Sequence, residues 1–270
     1  MNPLDVHARK AWVSTSGSPT SRRSTVREAT VVHTRSMATT FPGVGNRLIA
    51  ALDTPTRTEA DALVARLGNV PSWIKIGLEL FCAEGPSIVA DHARAGRRVM
   101  LDLKLHDIPE TVARATARVA TLGAGLLTVH AGGARAMLEN AVKAAGSSMG
   151  ILAVTVLTSL DEADLAAIGA NGPIADLVVR RARLAIDAGC AGVVASPHEV
   201  AAIRAIAPRE FLIVTPGVRP AGADKGDQKR VMTPSAACAA GADMVVVGRP
   251  LRDAPDPAAA ARAIVDELAS

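Results

Sequence analysis

From Arg47 onward, short apolar or β-branched runs alternate with longer Ala-rich amphipathic segments, and the rhythm holds to the C-terminus. The runs fall at 47–53 (RLIAALD), 73–78 (WIKIGL), 98–104 (RVMLDLK), 126–131 (LLTVHA), 150–157 (GILAVTVL), 192–196 (GVVAS), 211–217 (FLIVTPG) and 244–248 (MVVVG). Strands this uniformly apolar are buried on both faces, as in a parallel sheet covered by helices. The spacing predicts those helices near 58–68, 86–95, 109–122, 135–145, 174–188, 198–206, 234–240 and 257–268. Eight βα units in succession, close to the ~250 residues typical of a closed barrel, predict one α/β domain over 47–270, a (β/α)8 TIM barrel. No G-x-G-x-x-G follows the first run, which weighs against an open dinucleotide-binding sheet.

Residues 1–46 break the rhythm. They are rich in Ser, Thr and Arg, have no sustained apolar period, and read as a disordered N-terminal extension. A dispensable tail is the preferred reading; a targeting segment, or a translation start at Met37, are the alternatives. This end also explains the formal charge of +4: residues 1–48 carry seven Lys/Arg against Asp5 and Glu28, and the rest carries 23 basic and 24 acidic groups. A nearly neutral domain with no Tyr, two Trp and three Phe offers neither a basic track nor stacking platforms, so no nucleic-acid partner is expected. The apolar runs are far shorter than the ~20 residues needed to cross a bilayer, so a soluble protein without a membrane partner is expected. Cys82, Cys190 and Cys238 are scattered and odd in number, which fits a reducing cytoplasm, and they read as small buried hydrophobes.

Barrel active sites form at the C-terminal ends of the strands, and that is where the polar residues of this chain gather. Asp53 ends the first run, Lys75 lies within the second, Asp102 and Lys104 close the third, and His130 nearly ends the fourth. Thr158 and Ser159 follow the fifth, Arg219 the seventh and Arg249 the eighth. Charges inside apolar strands are costly unless paired. In Asp102-Leu103-Lys104-Leu105-His106-Asp107-Ile108-Pro109, strand alternation would put Asp102 and Lys104 on one face, within reach of Lys75. A structural salt-bridge network is the plain alternative. The loops after the last two strands argue against it: Thr215-Pro216-Gly217-Val218-Arg219, Gly226-Asp227-Gln228 and Val247-Gly248-Arg249-Pro250 have the make-up of a phosphate grip.

The segment 102–109 (DLKLHDIP) is similar to the signature of the orotidine 5′-phosphate decarboxylase family, and the resemblance covers essentially all of 47–268. It includes ALD (51–53), IKIG (74–77), VTVLTS (154–159), VTPGVRP (214–220), GDQKR (226–230) and VVGRP (246–250), and looks like the bacterial branch; Glu110 departs from the Asn common in relatives. The resemblance implies decarboxylation of orotidine 5′-phosphate to UMP by a cytoplasmic homodimer whose sites straddle the interface. Carried over onto this sequence, Lys75, Asp102 and Lys104 form a charged array completed by Asp107 of a second copy. Asp53, Lys75 and, across the interface, Thr111 would hold the ribose; Thr158 would contact the base; Arg219, Gln228, Gly248 and Arg249 would hold the phosphate.

No thiamine, pyridoxal or metal motif is present, so no cofactor and no metal are expected, and Lys104 is the candidate to stabilise and protonate the C6 carbanion. The segment 219–228 reads as a lid. A metal-dependent sugar-phosphate decarboxylase or aldolase of a related barrel, or a non-catalytic nucleotide-binding barrel, are the rival readings. His106 and His130 are read as ordering or packing groups, His92 and His198 as surface residues, and Met137 and Met149 as core.

Overall fold

A computed structural model describes residues 47–170, 172–219 and 232–269; the N-terminal extension lies outside them, as does most of the segment read as a lid. The order is β1 (Leu48–Leu52), α1 (Arg57–Leu67), β2 (Trp73–Ile76), α2 (Leu78–Glu84), α3 (Ser87–Arg94), β3 (Arg98–Leu105), α4 (Pro109–Ala120), β4 (Leu126–His130) and α5 (Ala134–Ala145). It continues with β5 (Gly150–Val154), α6 (Glu162–Ala167), α7 (Ile174–Asp187), β6 (Gly192–Val194), α8 (Val200–Arg204), β7 (Leu212–Thr215), α9 (Pro234–Ala239), β8 (Met244–Val247), α10 (Arg249–Arg252) and α11 (Pro257–Ala269). The strands pair in parallel in chain order, and β8 returns to pair with β1, closing the barrel. The expected TIM barrel is the architecture observed.

Two apolar layers follow from the alternation of each strand. Ile49, Trp73, Met100, Leu126, Leu212 and Met244 pack with other strand residues, and with Leu157 beyond β5, and fill the barrel interior. Their neighbours Leu48, Ile74, Leu101, Leu127, Ile213 and Val245 face outward and pack with the helices. Burying a Leu or Ile side chain fully contributes about 1.5–3 kcal/mol, and these strands bury one on each face in turn. Helix starts are marked locally: the Thr56 hydroxyl caps α1, Pro109 occupies the first turn of α4, and the Thr233 hydroxyl caps α9. Arg47 braces the closing seam, donating to the carbonyls of Ala242 and Leu268 at 2.8 and 3.3 Å.

Three helices were not expected from periodicity. The segments α2, α6 and α10 have seven, six and four residues, too short to show an apolar face. Two single-residue readings are corrected. His92 is buried, 7% exposed, because it lies on the inner face of α3; its Nε2 sits 3.3 Å from Asp61 Oδ1, an ion-pair distance without hydrogen-bond alignment. Cys82 is exposed on α2, whereas Cys190 is buried, with a thiol pushed up to about 12 by that burial. Met137 and Met149 are core residues, and His198 is at the surface.

The tightest interstrand contact is at Gly192, opposite Leu212. A Cβ there would stand 2.3 Å from the Leu212 carbonyl oxygen and 2.6 Å from its Cβ. The obstruction is backbone, so the strands themselves would have to part. Gly192→Ala is expected to destabilise the barrel by about 1–3 kcal/mol. Chemical denaturation would read this as a lower midpoint; an unchanged midpoint would show that the strand spacing relaxes freely.

Candidate active site

At the C-terminal mouth of the barrel, β1, β2 and β3 deliver an alternating row of charges. Lys75 Nζ donates to Asp53 Oδ1 at 2.8 Å and stands 3.7 Å from Asp102 Oδ2. Lys104 Nζ donates to the same Asp102 oxygen at 2.9 Å. Asp53 follows β1 and Lys75 lies on β2, and residues after the strand make room for the pair. A Cβ on Gly77 would lie 3.0 Å from Lys75 Nζ and 3.2 Å from Asp53 Oδ1, so any larger residue would crowd the ion pair.

Asp102 and Lys104 reach one face by a route that simple alternation does not describe. The β3–β4 register shifts between Leu101 and Leu105, and Lys104 has φ of 51°. That left-handed conformation is uncommon outside glycine and costs on the order of 1–3 kcal/mol. The Lys104 amide donates to the hydroxyl of Thr128 on β4 at 2.9 Å, and that hydroxyl donates to Asp102 Oδ1 at 2.8 Å.

Burial by itself would raise the Asp102 carboxyl. The Lys75 and Lys104 ammoniums, with hydrogen bonds from Lys104 and Thr128, outweigh it and hold the group below the ordinary carboxylate range. Nearby, the His106 and His130 rings stack 4.9 Å apart. His130 Nδ1 accepts the Gly132 amide at 3.1 Å, which leaves Nε2 to carry the proton of the neutral ring. Burial, then the positive charges of Arg181, His106 and Lys104, lower His130 from its ordinary 6.5 to about 4.

These groups open into a cleft of ≈ 500 Å³. Its apolar floor is Ala51, Met100, Val194 and Val246; its charged wall is Asp53, Lys75, Asp102 and Lys104; Thr158 lies on the rim. The remaining wall comes from the ends of β7 and β8: Gly217, Arg219, Gly248, Arg249 and Arg252. Gly217 has φ of 79°, which turns the chain after β7 in a conformation that suits glycine. Arg252 is an addition to the residues predicted from sequence; it stands three positions after Arg249, so one turn of helix carries both toward the cleft. Its Nη1 donates to the Asp53 carbonyl at 3.0 Å.

The other predicted residues are elsewhere. Asp107 is exposed beyond β3, where its carboxylate accepts the Ile108 amide at 2.6 Å, and Thr111 is exposed on α4; neither lines this cleft. Gln228 lies outside the described residues. Glu110, the departure noted above, accepts from Arg114 one helical turn on.

The family model described as "Orotidine 5'-phosphate decarboxylase / HUMPS family" matches residues 46–264. The chain belongs to the orotidine 5′-phosphate decarboxylase / HUMPS family. An orotidine 5′-phosphate decarboxylase of Anaeromyxobacter sp. (strain K) is 59% identical over 222 residues, 82% of this chain and 98% of the relative. One from Bradyrhizobium sp. (strain BTAi1 / ATCC BAA-1182) is 51% identical over 225 residues, 83% of this chain and 92% of its own length. The crystal structure of orotidine 5′-phosphate decarboxylase from Lactobacillus acidophilus superposes with a TM-score of 0.74 at 36% identity, covering 83% of this chain and 100% of the other.

The burial of His130 predicts a pH-dependent stability. Between pH 6.5 and about 4 the unfolded chain protonates His130 while the folded chain does not, so stability falls as pH falls across that window. Denaturation at a series of pH values should show a shallower fall for His130→Gln than for the parent. Parallel curves would mean that His130 titrates alike in both states.

Proposed function

We propose that this chain is a carboxy-lyase of pyrimidine biosynthesis that converts orotidine 5′-phosphate to UMP and carbon dioxide. The observation that carries the reading is the Lys104 ammonium at the cleft, held 2.9 Å from Asp102 in the same cavity that Arg219 and Arg249 line. One side of such a cavity suits a phosphate and the other a developing negative charge. The relatives named for this reaction support the substrate assignment.

In the proposed reaction the bond between C6 and the carboxylate breaks, carbon dioxide leaves, and the electron pair stays on C6 in the plane of the ring. The ring π system cannot readily delocalise that pair. Lys104 places a positive charge where the pair develops and then transfers a proton to C6, forming UMP. Its proton is restored from solvent. Asp102 stands beside the departing carboxylate, and its like charge disfavours the bound ground state. Lys75 keeps Asp102 ionised and rigid, so little reorganises during reaction.

Barrier reductions at the upper end for enzymes reach ~23 kcal/mol, beyond the reach of one ammonium. Binding energy from the phosphate, gathered by Arg219, Arg249 and the backbone at Gly217 and Gly248, supplies part of the remainder by fixing the base against the array. Gln228 is assigned to the same grip. Asp53 and Lys75 hold the ribose hydroxyls, and Thr158 contacts the base.

The reading includes a second copy of the chain. Asp107 and Thr111 are exposed around Ile108, an apolar side chain 66% exposed, and a two-fold partner would cover that residue while carrying both polar groups over the other cleft. Against a metal-dependent aldolase or decarboxylase stands the occupancy of the carboxylates: lysine ammoniums already sit on Asp53 and Asp102, where a metal would bind. Among the described residues, no helix is long and apolar enough to cross a membrane.

Purified protein mixed with orotidine 5′-phosphate should lose the orotate-type ultraviolet absorbance, with EDTA making no difference; loss of activity in EDTA would favour the metal-dependent reaction. In the same assay Lys104→Ala should lower turnover at least about 100-fold while UMP still binds. Turnover close to the parent would remove Lys104 from its role. Mixing Lys104→Ala with Asp107→Ala should restore activity that neither has alone, since one of the two shared sites in each mixed dimer is intact. Failure to complement would place Asp107 outside the neighbouring site.

A further inference from the structure

Strand β3 pairs with β4 at Leu101 opposite Leu127, and again at Leu105 opposite Val129. Between those pairs β3 holds Asp102, Leu103 and Lys104, whereas β4 holds only Thr128. The excess on β3 has to bulge, and Lys104 takes up the distortion in its left-handed backbone. A bulge of this kind removes amides from the ladder, and a buried amide without an acceptor costs on the order of 1–3 kcal/mol.

The side chain of Thr128 makes good that loss. Its hydroxyl, 0% exposed, accepts the Lys104 amide at 2.9 Å and donates its one proton to Asp102 Oδ1 at 2.8 Å. The other Asp102 oxygen accepts from Lys104 Nζ at 2.9 Å. The result is a closed ring of contacts: lysine backbone to hydroxyl, hydroxyl to carboxylate, carboxylate to the ammonium of that same lysine. Within it, the long flexible Lys104 side chain is tied at both ends to one reference point.

We propose that Thr128 is a positioning residue for the reaction, fixing the Lys104 backbone and the Asp102 carboxylate relative to each other so that the ammonium faces the reacting carbon. The proposal rests on the roles given to Lys104 and Asp102 under the proposed function. Threonine suits the place chemically. One hydroxyl donates once and accepts at the same time, and its β-branched stem fits the interior of a strand. Valine has the same shape with neither capacity, and serine keeps both.

Thr128→Val, Thr128→Ser and Lys104→Ala, assayed side by side on orotidine 5′-phosphate, test it. The valine variant should lose about 10–100-fold in kcat, the effect of losing a hydrogen bond to a charged group and freeing its neighbour. Its KM should change far less, because the phosphate grip is untouched. The acid limb of its kcat profile should move to higher pH, since Asp102, whose charged neighbours among the described residues are Lys75 and Lys104, loses one of the bonds that favour its ionised form. Serine should restore most of kcat and the parent profile. Should the valine variant fail to fold, Thr128→Ala removes the hydroxyl while leaving space beside the two polar groups, and carries the same expectations. Near-parent kcat in the folded hydroxyl-free variant, or a serine variant as slow as it, would overturn the positioning role. Near-parent turnover in Lys104→Ala would instead overturn the reading beneath it.

Discussion

The carboxylate of Asp102 carries two ammonium groups on one oxygen, Lys104 at 2.9 Å and Lys75 at 3.7 Å, with Thr128 on the other oxygen. A carboxylate this deep in an apolar barrel would otherwise be driven toward its neutral form. Lys75, with a side chain 12% exposed, needs an opposite charge in turn, whereas Lys104, about a third exposed, keeps part of its hydration. Removing one partner from a buried pair leaves an uncompensated charge and costs about 3–5 kcal/mol. The surrounding backbone is shaped by this constraint. The bulge in β3, the left-handed Lys104 and the absence of a side chain at Gly77 each serve to bring opposite charges into one row.

The barrel was readable in the sequence because every strand is buried on both faces. Strands of that kind are continuous apolar runs, and eight of them separated by helical spacing leave few architectures open. The same background made the candidate site readable, since Lys75, Asp102 and Lys104 stand out as charges in segments that otherwise avoid them. What stayed hidden had no contrast. Thr128 is a β-branched residue in a strand, as any strand former is, and only the β3–β4 register reveals that it stands opposite a bulge. Alternation placed Asp102 and Lys104 together for an incomplete reason, because a bulge is a break in the period that alternation assumes. His92 and Cys82 show the limit in the other direction. Each sits on a short helix, where a single turn decides between core and solvent and residue type is a weak guide.

The position of Arg252 follows from a level between these two. Nothing in its own strand or loop marks it, yet GRPLR sets two arginines one helical turn apart at the end of β8. A four-residue helix is too short to announce itself by periodicity, but it is long enough to point both guanidiniums the same way.

Closure of the barrel is what lets binding and chemistry act on one molecule. The charged array comes from β1 to β3 and the proposed phosphate side from β7 and β8, distant parts of the chain: the contact between Asp53 and Arg252 spans 199 positions. An open sheet in the same strand order would leave those sets on opposite edges. Pairing of β8 with β1 makes them neighbours: a Cβ at Gly248 would lie 3.5 Å from Asp53 Oδ2, and Arg252 donates to the Asp53 carbonyl. Asp53 in turn holds Lys75, and Lys75 holds Asp102. In the proposed reaction, a phosphate drawn to the β7–β8 rim therefore tightens against the same residues that keep the reacting lysine in place, and remote binding energy has a short, continuous path to the carbon that changes.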